Sequence, residues 1–140
     1  MKFKYHKLNL PTPSDFFGKF IFKPIIPVKI SNLGAGVKYA ALIDSGADFC
    51  IFDAGIGEYL GINIKSAAEI QFGGIQTLGG AKAYLHKVNI EIGGHKFRTD
   101  VGFSYDIARH GYGILGQRGF FDIFSVKFDL AKEEIELKPK

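Results

Sequence analysis

Alternation of apolar and polar residues with a period of two is the feature of this sequence that most limits its possible folds. It runs from Val88 to Ile92 and from Phe97 to Phe103, and Gly93-Gly94 between these stretches is typical of a two-residue hairpin turn. The alternation returns from Phe124 to Leu130 and again from Ile135 to Leu137. Since a period of two turns one face of a strand toward the core, the sequence predicts two β-hairpins.

Composition extends this prediction to the rest of the chain. The 140 residues include 14 Phe, 18 Gly and no Trp, which favours short elements joined by tight turns, because glycine weakens helix interiors. With 46% hydrophobic residues, the chain is long enough for one packed core and too short for two. We expect an all-β domain over residues 18–140, preceded by an N-terminal arm over residues 1–17.

Local signals place further elements. Residues 37–43 predict a buried strand, whereas Pro24 and Pro27 interrupt the β-rich stretch before it and favour an edge or bent strand there. Residues 54–60 predict one short helix that Gly61 ends.

Charge is distributed unevenly. The net charge is +4, but residues 1–38 contain seven Lys against one Asp, and residues 39–140 sum to −2. Scattered lysines keep edge strands from pairing with other chains, and they lack the clustered aromatic and basic stripe of a surface that stacks nucleic acid. We therefore expect no nucleic-acid partner; strongly salt-dependent oligonucleotide binding would contradict this expectation.

Cys50 is the single cysteine, so no intrachain disulfide can form, and its apolar neighbours predict a core position. A reducing, cytoplasmic location fits this usage. Lysines and prolines interrupt residues 16–30, and no apolar run approaches the ~18 residues of a membrane-spanning helix. We expect no membrane partner.

The candidate for chemistry is Asp44-Ser45-Gly46-Ala47, which follows the apolar run Ala40–Ile43 and occurs once in the chain. It places a carboxylate on a tight loop that leaves a buried strand. Because Asp, Ser and Gly are all common in turns, the tripeptide alone is typical of an ordinary turn.

Three other segments strengthen a catalytic interpretation, of which the terminal strand pairing from Phe124 to Leu137 is described above. Residues 70–81 carry Gly73-Gly74 and Gly79-Gly80, and paired glycines of this kind suit a hairpin lid that opens for a polymeric substrate and then excludes water. In Gly113-Ile114-Leu115-Gly116, the apolar pair would pack beneath the Asp44 loop, and Gly116 would let the two backbones approach closely.

Taken in order, these motifs resemble the retropepsins, the retroviral-type aspartic proteases, over roughly residues 37–130. The motifs are Ala-Leu-Ile-Asp-Ser-Gly-Ala at 41–47, Gly-Gly-Ile at 73–75, Ile-Glu-Ile-Gly-Gly-His-Lys at 90–96 and Ile-Leu-Gly at 114–116. The segment Lys23–Val28 is more similar to the microbial retropepsin-like proteins than to the viral enzymes.

The resemblance implies a closed, β-barrel-like acid-protease fold with one or two short helices, assembled as a homodimer. Each subunit would supply one Asp44 to an active site on the twofold axis. Two such carboxylates share one proton, so one acts as base on a bound water and the other as acid on the peptide carbonyl. The implied activity is endopeptidase cleavage of a polypeptide, with no metal or other cofactor.

The same resemblance implies substrate-binding roles for residues around Asp44. Ser45 would hydrogen-bond across the axis, Gly46 would leave room for the substrate backbone, Asp48 would bind substrate main chain, and Ile75 would form the flap tip. The remaining positions implied at the substrate are Ala47, Phe72, Gly73, Gly74, Tyr112 and Ile114. The sequence departs from the viral pattern at Gln117, where an Arg is usual; whether Arg118 substitutes for it by pairing with Asp48 is left open.

Three other interpretations compete with this one. Residues 111–116 fit Gly-x-Gly-x-x-Gly, but the 24 residues after them alternate like strands and cannot complete a βαβ unit. No two of the four His, nor Cys50, have zinc-ligand spacing, and Asp44, Asp48 and Asp53 do not follow the calcium-loop pattern. The third alternative, a retropepsin-like domain that dimerises or binds peptides without cutting them, remains open.

Overall fold

The computed structural model describes residues 1–73 and 80–140, and most of these residues lie in strands. The strands are β1 (Lys2–Lys4), β2 (His6–Ser14), β3 (Gly18–Lys23), β4 (Ile25–Asn32), β5 (Ala35–Ile43), β6 (Ile51–Asp53), β7 (Glu69–Phe72), β8 (Ala81–Ile92), β9 (His95–Ser104), β10 (Gly113–Leu115), β11 (Phe124–Asp129) and β12 (Glu134–Pro139). The described α-helix is α1 (Ala54–Tyr59), and single 3₁₀ turns lie at Ile64–Ser66 and Ala108–His110.

Seven of the strands form a sheet in the order β4-β5-β10-β6-β9-β8-β7, and β4 also pairs with β8. This second pairing closes six of them into a ring of hydrogen-bonded strands. The core is formed by residues of this ring, the helix and the β11–β12 hairpin, and its largest fully buried side chains include Phe52, Phe103, Phe120 and Phe124. Burying a side chain of this size contributes about 1.5–3 kcal/mol, so the aromatic core is a main source of stability.

Both hairpins predicted from the alternation are confirmed. β8 and β9 pair from Tyr84↔Phe103 to Ile92↔His95, and Gly93 and Gly94 between them take positive φ values of 55° and 84°. β11 and β12 form the second hairpin. The predicted helix is also confirmed, and Gly61, at φ 79°, follows its C-terminal end.

Residues 1–17 contain two strands with different partners. β1 adds to the terminal hairpin, so that β12 lies between β1 and β11 in a separate three-stranded sheet. β2 pairs with β3 in a sheet of two strands.

The prediction of an edge strand around Pro27 is wrong for part of β4. Pro24 separates β3 from β4, and Pro27 lies where β4 pairs only with β5. Farther along, Lys29–Ser31 pair with β8 as well as with β5. The proline, which has no N–H to donate, is thus confined to the half of the strand that needs no second partner.

Within the described ranges, no helix is both long enough and apolar enough to traverse a lipid bilayer.

Candidate active site

The Asp44 loop, residues 44–48, begins where β5 ends and is closed by hydrogen bonds of its own. The Asp44 carboxylate accepts a hydrogen bond from the Gly46 N–H at 2.9 Å. The main-chain carbonyl of Asp44 accepts one from the Ala47 N–H at 3.1 Å. Asp side chains favour this local arrangement in turns. The half-buried carboxylate is therefore held in one orientation by the backbone of its own loop.

β10 connects this loop to the middle of the sheet. It pairs in parallel with β5 and antiparallel with β6, with Leu115 opposite Ile43 and Ile114 opposite Ile51. The Asp44 N–H donates to the Leu115 carbonyl at 3.0 Å. The predicted packing of Ile114 and Leu115 beside the Asp44 loop is confirmed.

Gly116 lies where only glycine fits. A Cβ atom at this position would meet the Phe49 carbonyl and would lie 2.8 Å from the Ala47 carbonyl oxygen. The predicted close approach of the two backbones at Gly116 is therefore confirmed, and the absence of a side chain there has a steric cause.

The residues after Gly116 fasten the rest of the loop. The Gln117 N–H donates to the Ala47 carbonyl at 2.8 Å, and the Arg118 N–H donates to the Asp48 carbonyl at 2.9 Å. The Gln117 side-chain amide donates to the Ser45 carbonyl at 2.7 Å. Among the ion pairs of the described residues there is none between Arg118 and Asp48; Gln117 provides the side-chain brace of the loop.

A groove of about 510 Å³ lies against the Asp44 loop. It brings together seven residues predicted for the site: Asp44, Gly46, Ala47, Asp48, Phe72, Gly73 and Ile114. It also contains four that the sequence analysis missed: Phe49, Ile51, Ile70 and Gln71. Phe49 and Ile51 follow the Asp44 loop in sequence, and Ile70 and Gln71 precede Phe72 on β7. Their closeness in sequence to Asp44 and Phe72 could have identified them as groove residues.

Other predicted site residues lie elsewhere. Ser45 is exposed on the loop and does not line the groove. Tyr112 does not line the groove either, and Lys23 Nζ lies 5.9 Å from its ring centroid. Gly74 and Ile75, the predicted flap tip, are outside the described residues.

A second, mainly apolar cavity of about 430 Å³ adjoins the groove and shares Asp48, Phe49 and Ile70 with it. Leu85 lines the remaining apolar wall, and Asp100 and Arg118 also line this cavity. An apolar cavity with a few charged groups suits an apolar side chain attached to a polar backbone.

Part of the groove is lined by β7, which pairs with β8 from Glu69↔Tyr84 to Phe72↔Ala81. Here β8 has passed the end of its pairing with β9, which stops at Tyr84. The main chain of Lys82 is held instead by side chains: Ser104 Oγ donates to its carbonyl at 2.6 Å, and an Asp106 carboxylate oxygen accepts from its N–H at 2.9 Å.

This arrangement, the Lys82 clamp, consists of Lys82, Ser104 and Asp106. Ser104 is fully buried, and its Oγ also accepts a hydrogen bond from the Asp106 N–H at 3.1 Å. The clamp fixes Lys82 on β8, at the position that pairs with Gln71 of β7. The sequence analysis missed it, because it joins residues more than 20 positions apart without a motif.

Cys50 lies directly after the loop in the core. Burial raises the pKa of its thiol to about 12, so the thiol stays protonated at neutral pH and is a poor nucleophile. Within residues 1–73 and 80–140, no three His, Cys, Asp or Glu side chains come together as a metal site would require.

Comparison with known proteins adds information on the fold. No protein-family model and no curated protein sequence matches the chain. Among solved structures, a retropepsin-like aspartic protease from Rickettsia conorii is similar, with a TM-score of 0.57 and 17% identity over 96% of this chain and 95% of that one. The EIAV protease in complex with the inhibitor HBY-793 aligns with a TM-score of 0.47 and 22% identity over 68% and 82% of the two chains. The similarity to the Rickettsia protein shows that this chain has the retropepsin-like fold.

Proposed function

We propose that this chain is an aspartic endopeptidase of the retropepsin-like family, whose active site forms from two Asp44 carboxylates, one from each subunit of a homodimer. The observation that carries the proposal is the Asp44 loop: its carboxylate is oriented by the Gly46 N–H and its backbone is anchored to β10, beside a groove. This loop belongs to a fold shared with a protein described as a retropepsin-like aspartic protease.

The need for a second subunit follows from the chemistry. Peptide hydrolysis by carboxylates requires one group to accept a proton from water while another donates a hydrogen bond to the carbonyl oxygen. Each chain has one Asp-Ser-Gly loop. A twofold axis beside the loop supplies the second carboxylate, because each residue near such an axis meets its own copy.

Two carboxylates in contact cannot both ionise readily, so the pair holds one shared proton and titrates in two macroscopic steps. In the proposed reaction the ionised Asp44 takes a proton from water as the water oxygen bonds to the peptide carbon. The protonated Asp44 gives its proton to the carbonyl oxygen, which forms a gem-diol. The C–N bond then breaks as a proton passes to the leaving nitrogen and the second hydroxyl loses its own, which regenerates a single shared proton.

The groove and the adjoining apolar cavity support an extended peptide as substrate. In this proposal Asp48 binds substrate main chain, and an apolar side chain enters the cavity lined by Phe49, Ile70 and Leu85. Roles at the substrate are also proposed for Ser45, Gly46, Ala47, Phe72, Gly73, Gly74, Ile75, Tyr112 and Ile114.

The direct test is Asp44→Asn, assayed on an unstructured protein between about pH 4 and 7, where a shared-proton pair is active. The amide can neither accept nor donate the catalytic proton, so cleavage should fall by a factor of roughly 10² to 10⁴. Sedimentation of the variant checks that it still dimerises.

The matched control is Asp129→Asn, at the last residue of β11, where an amide oxygen can still accept the hydrogen bond from the Lys132 N–H. This control should retain full activity. Cleavage that survives Asp44→Asn would refute the proposal, and a wild-type dimer that binds the peptide without cutting it would establish the non-catalytic alternative.

A further inference from the structure

The N-terminal hairpin, formed by β2 and β3 (His6–Lys23), pairs with no other described strand. A two-stranded hairpin alone is at best marginally stable in water, because it has little surface against which to bury its side chains. β2 has nine residues, which at ~3.3 Å each make an arm of about 30 Å. The hairpin is therefore long and lightly supported by its own chain.

Its tip carries exposed aromatic side chains. Phe16 is 87% exposed and Phe17 is 59% exposed, and the two rings stack edge to face at 4.8 Å. The turn is ordered by Ser14 Oγ, which accepts hydrogen bonds from both Phe N–H groups. A defined turn that presents two large apolar rings to water is a typical contact surface for another molecule.

The base of the hairpin lies beside the Asp44 loop. The Ile43 N–H donates to the Pro24 carbonyl at 2.9 Å, and Ile25 lies opposite Leu42 in the β4–β5 pairing. Extending that register by two residues brings Lys23 level with Asp44. The hairpin thus leaves the sheet at the end where the proposed twofold axis passes.

The last strand of the chain, β12, is enclosed within its own sheet. β12 has both of its edges occupied by strands of its own chain, β1 on one side and β11 on the other. A second subunit cannot insert a strand next to β12 without displacing one of these. Among the described strands of this sheet, a partner therefore finds free edges only at β1 and β11, and β12 supplies no pairing edge to a dimer.

We infer that the N-terminal hairpin is a dimerisation arm that packs its Phe16–Phe17 tip against a second copy of this chain. The inference rests on the proposed homodimer and assigns the element that holds it together. Large aromatic anchors that become fully buried contribute most of the binding energy at protein interfaces.

Charge favours a second copy over a membrane as the occupant. The hairpin, residues 6–23, carries three Lys against one Asp, a net charge of +2, and residues 39–140 sum to −2, so the hairpin of one chain can meet acidic surface on another. Asp15 adjoins Phe16 at the tip, and a carboxylate there opposes insertion between anionic lipid headgroups.

The first experiment measures the dimer dissociation constant by sedimentation equilibrium for the double variant Phe16→Ser, Phe17→Ser. Both side chains are exposed, so the substitutions should leave the monomer folded, which circular dichroism checks. Four aromatic anchors are lost per dimer, and the dissociation constant should rise about 100-fold or more.

The matched control is Leu33→Ser. Leu33 is 95% exposed in the β4–β5 turn, at the opposite end of β5 from Asp44. Its dissociation constant should equal that of the wild type.

A second measurement does not depend on weakening the dimer. Because Cys50 is buried, a nitroxide can be attached selectively to Phe17→Cys, and this chain can be mixed with ¹⁵N-labelled wild-type chain. Resonances of the chain without the label should broaden in the mixed dimer. If these resonances stay sharp in a sample that sedimentation shows to be dimeric, the inference is refuted.

Three other outcomes would also refute it. The dissociation constant of the double variant could equal that of the wild type, or the wild-type chain could stay monomeric. The third is a double variant that dimerises like the wild type but no longer binds phosphatidylserine vesicles to which the wild type binds. Failure of the proposed function looks different. A dimer that depends on Phe16 and Phe17 but cuts nothing would refute proteolysis alone, whereas an Asp44-dependent protease that ignores these residues would refute the arm alone.

Discussion

The Asp44 loop and the N-terminal hairpin are both connections at one end of the sheet, but they are fastened in opposite ways. The loop is tied to residues 115–118 by three main-chain hydrogen bonds of 2.8–3.0 Å, and Gly116 packs directly against its backbone. The hairpin forms strand pairs only within itself, among the described residues, and exposes its aromatic tip. One chain therefore fixes the geometry of its own carboxylate, whereas the aromatic tip of its hairpin stays exposed.

Gly116→Ala should destabilise the Asp44 loop, the firmly held region, more than any other substitution proposed here. The new Cβ would press on backbone carbonyls of Phe49 and Ala47, which cannot rotate away as side chains do. We expect a loss of about 3 kcal/mol in the free energy of unfolding, measured by urea denaturation, and loss of cleavage.

The control is Gly36→Ala, whose Cβ meets the flexible end of the Lys29 side chain at 3.1 Å. This control should lose much less free energy of unfolding than Gly116→Ala. Equal stability of the two variants would show that the loop is not tightly packed at Gly116.

Ser104→Ala tests the part of the groove that β7 lines. The substitution leaves the Lys82 carbonyl and the Asp106 N–H without their buried partner, and it should cost about 1–3 kcal/mol of unfolding free energy. Because the Lys82 clamp holds β8 where it pairs with β7, and β7 lines the groove, KM should rise more than kcat falls. A variant with wild-type KM would mean that the clamp does not position β7.

Gln117→Ala removes the side-chain hydrogen bond from Gln117 to the Asp44 loop and leaves the main-chain hydrogen bonds of the loop intact. Since this hydrogen bond is exposed, the loss of unfolding free energy should be about 1 kcal/mol or less. Activity should fall by a larger factor than stability implies, because the brace orients the loop. Gln117→Glu, which cannot donate to the Ser45 carbonyl, should behave like the Ala variant.

Thiol reactivity compares the buried chain beside the Asp44 loop with the exposed tip of the hairpin, and it disturbs the structure least. Burial raises the pKa of Cys50 to about 12 from its ordinary 9.0, so the native protein should resist iodoacetamide at pH ~8. A cysteine introduced by Phe17→Cys should react at the rate of an exposed thiol in the monomer and more slowly in the dimer.

The same shift predicts a pH dependence of stability. The neutral Cys50 thiol is favoured by the fold, so its contribution is complete below pH 9.0 and is lost as the pH rises toward about 12. A Cys50→Ala variant should lack this alkaline loss. Rapid alkylation of Cys50 in native protein would contradict its burial.

Local sequence patterns predicted the strands and the loop because their causes are local. Period-two alternation and Gly93-Gly94 determine the β8–β9 hairpin, and the motif around Asp44 together with Gly116 indicated where two backbones meet. Each of these depends on residues close together in sequence or on a motif of recognisable order.

Features that depend on distant pairing could not be predicted in the same way. The pairing of β4 with β8 joins Ile30 to Ile90, and the Lys82 clamp uses Ser104. Neither a hydrophobic period nor a spacing marks such contacts. The pairing of residues 6–14 with β3 was missed for another reason, because prolines and polar residues hid the strand.

Subunit mixing tests the shared active site most directly. Wild-type chain is mixed with increasing amounts of Asp44→Asn chain, and the rate of peptide cleavage per wild-type chain is measured after exchange. Random pairing with an equal amount of variant leaves about half of the wild-type chains in wild-type dimers, so the rate should fall to about half and approach zero at large excess. A rate per wild-type chain that stays constant would mean that each chain cleaves alone, and would contradict an active site built from two Asp44 carboxylates.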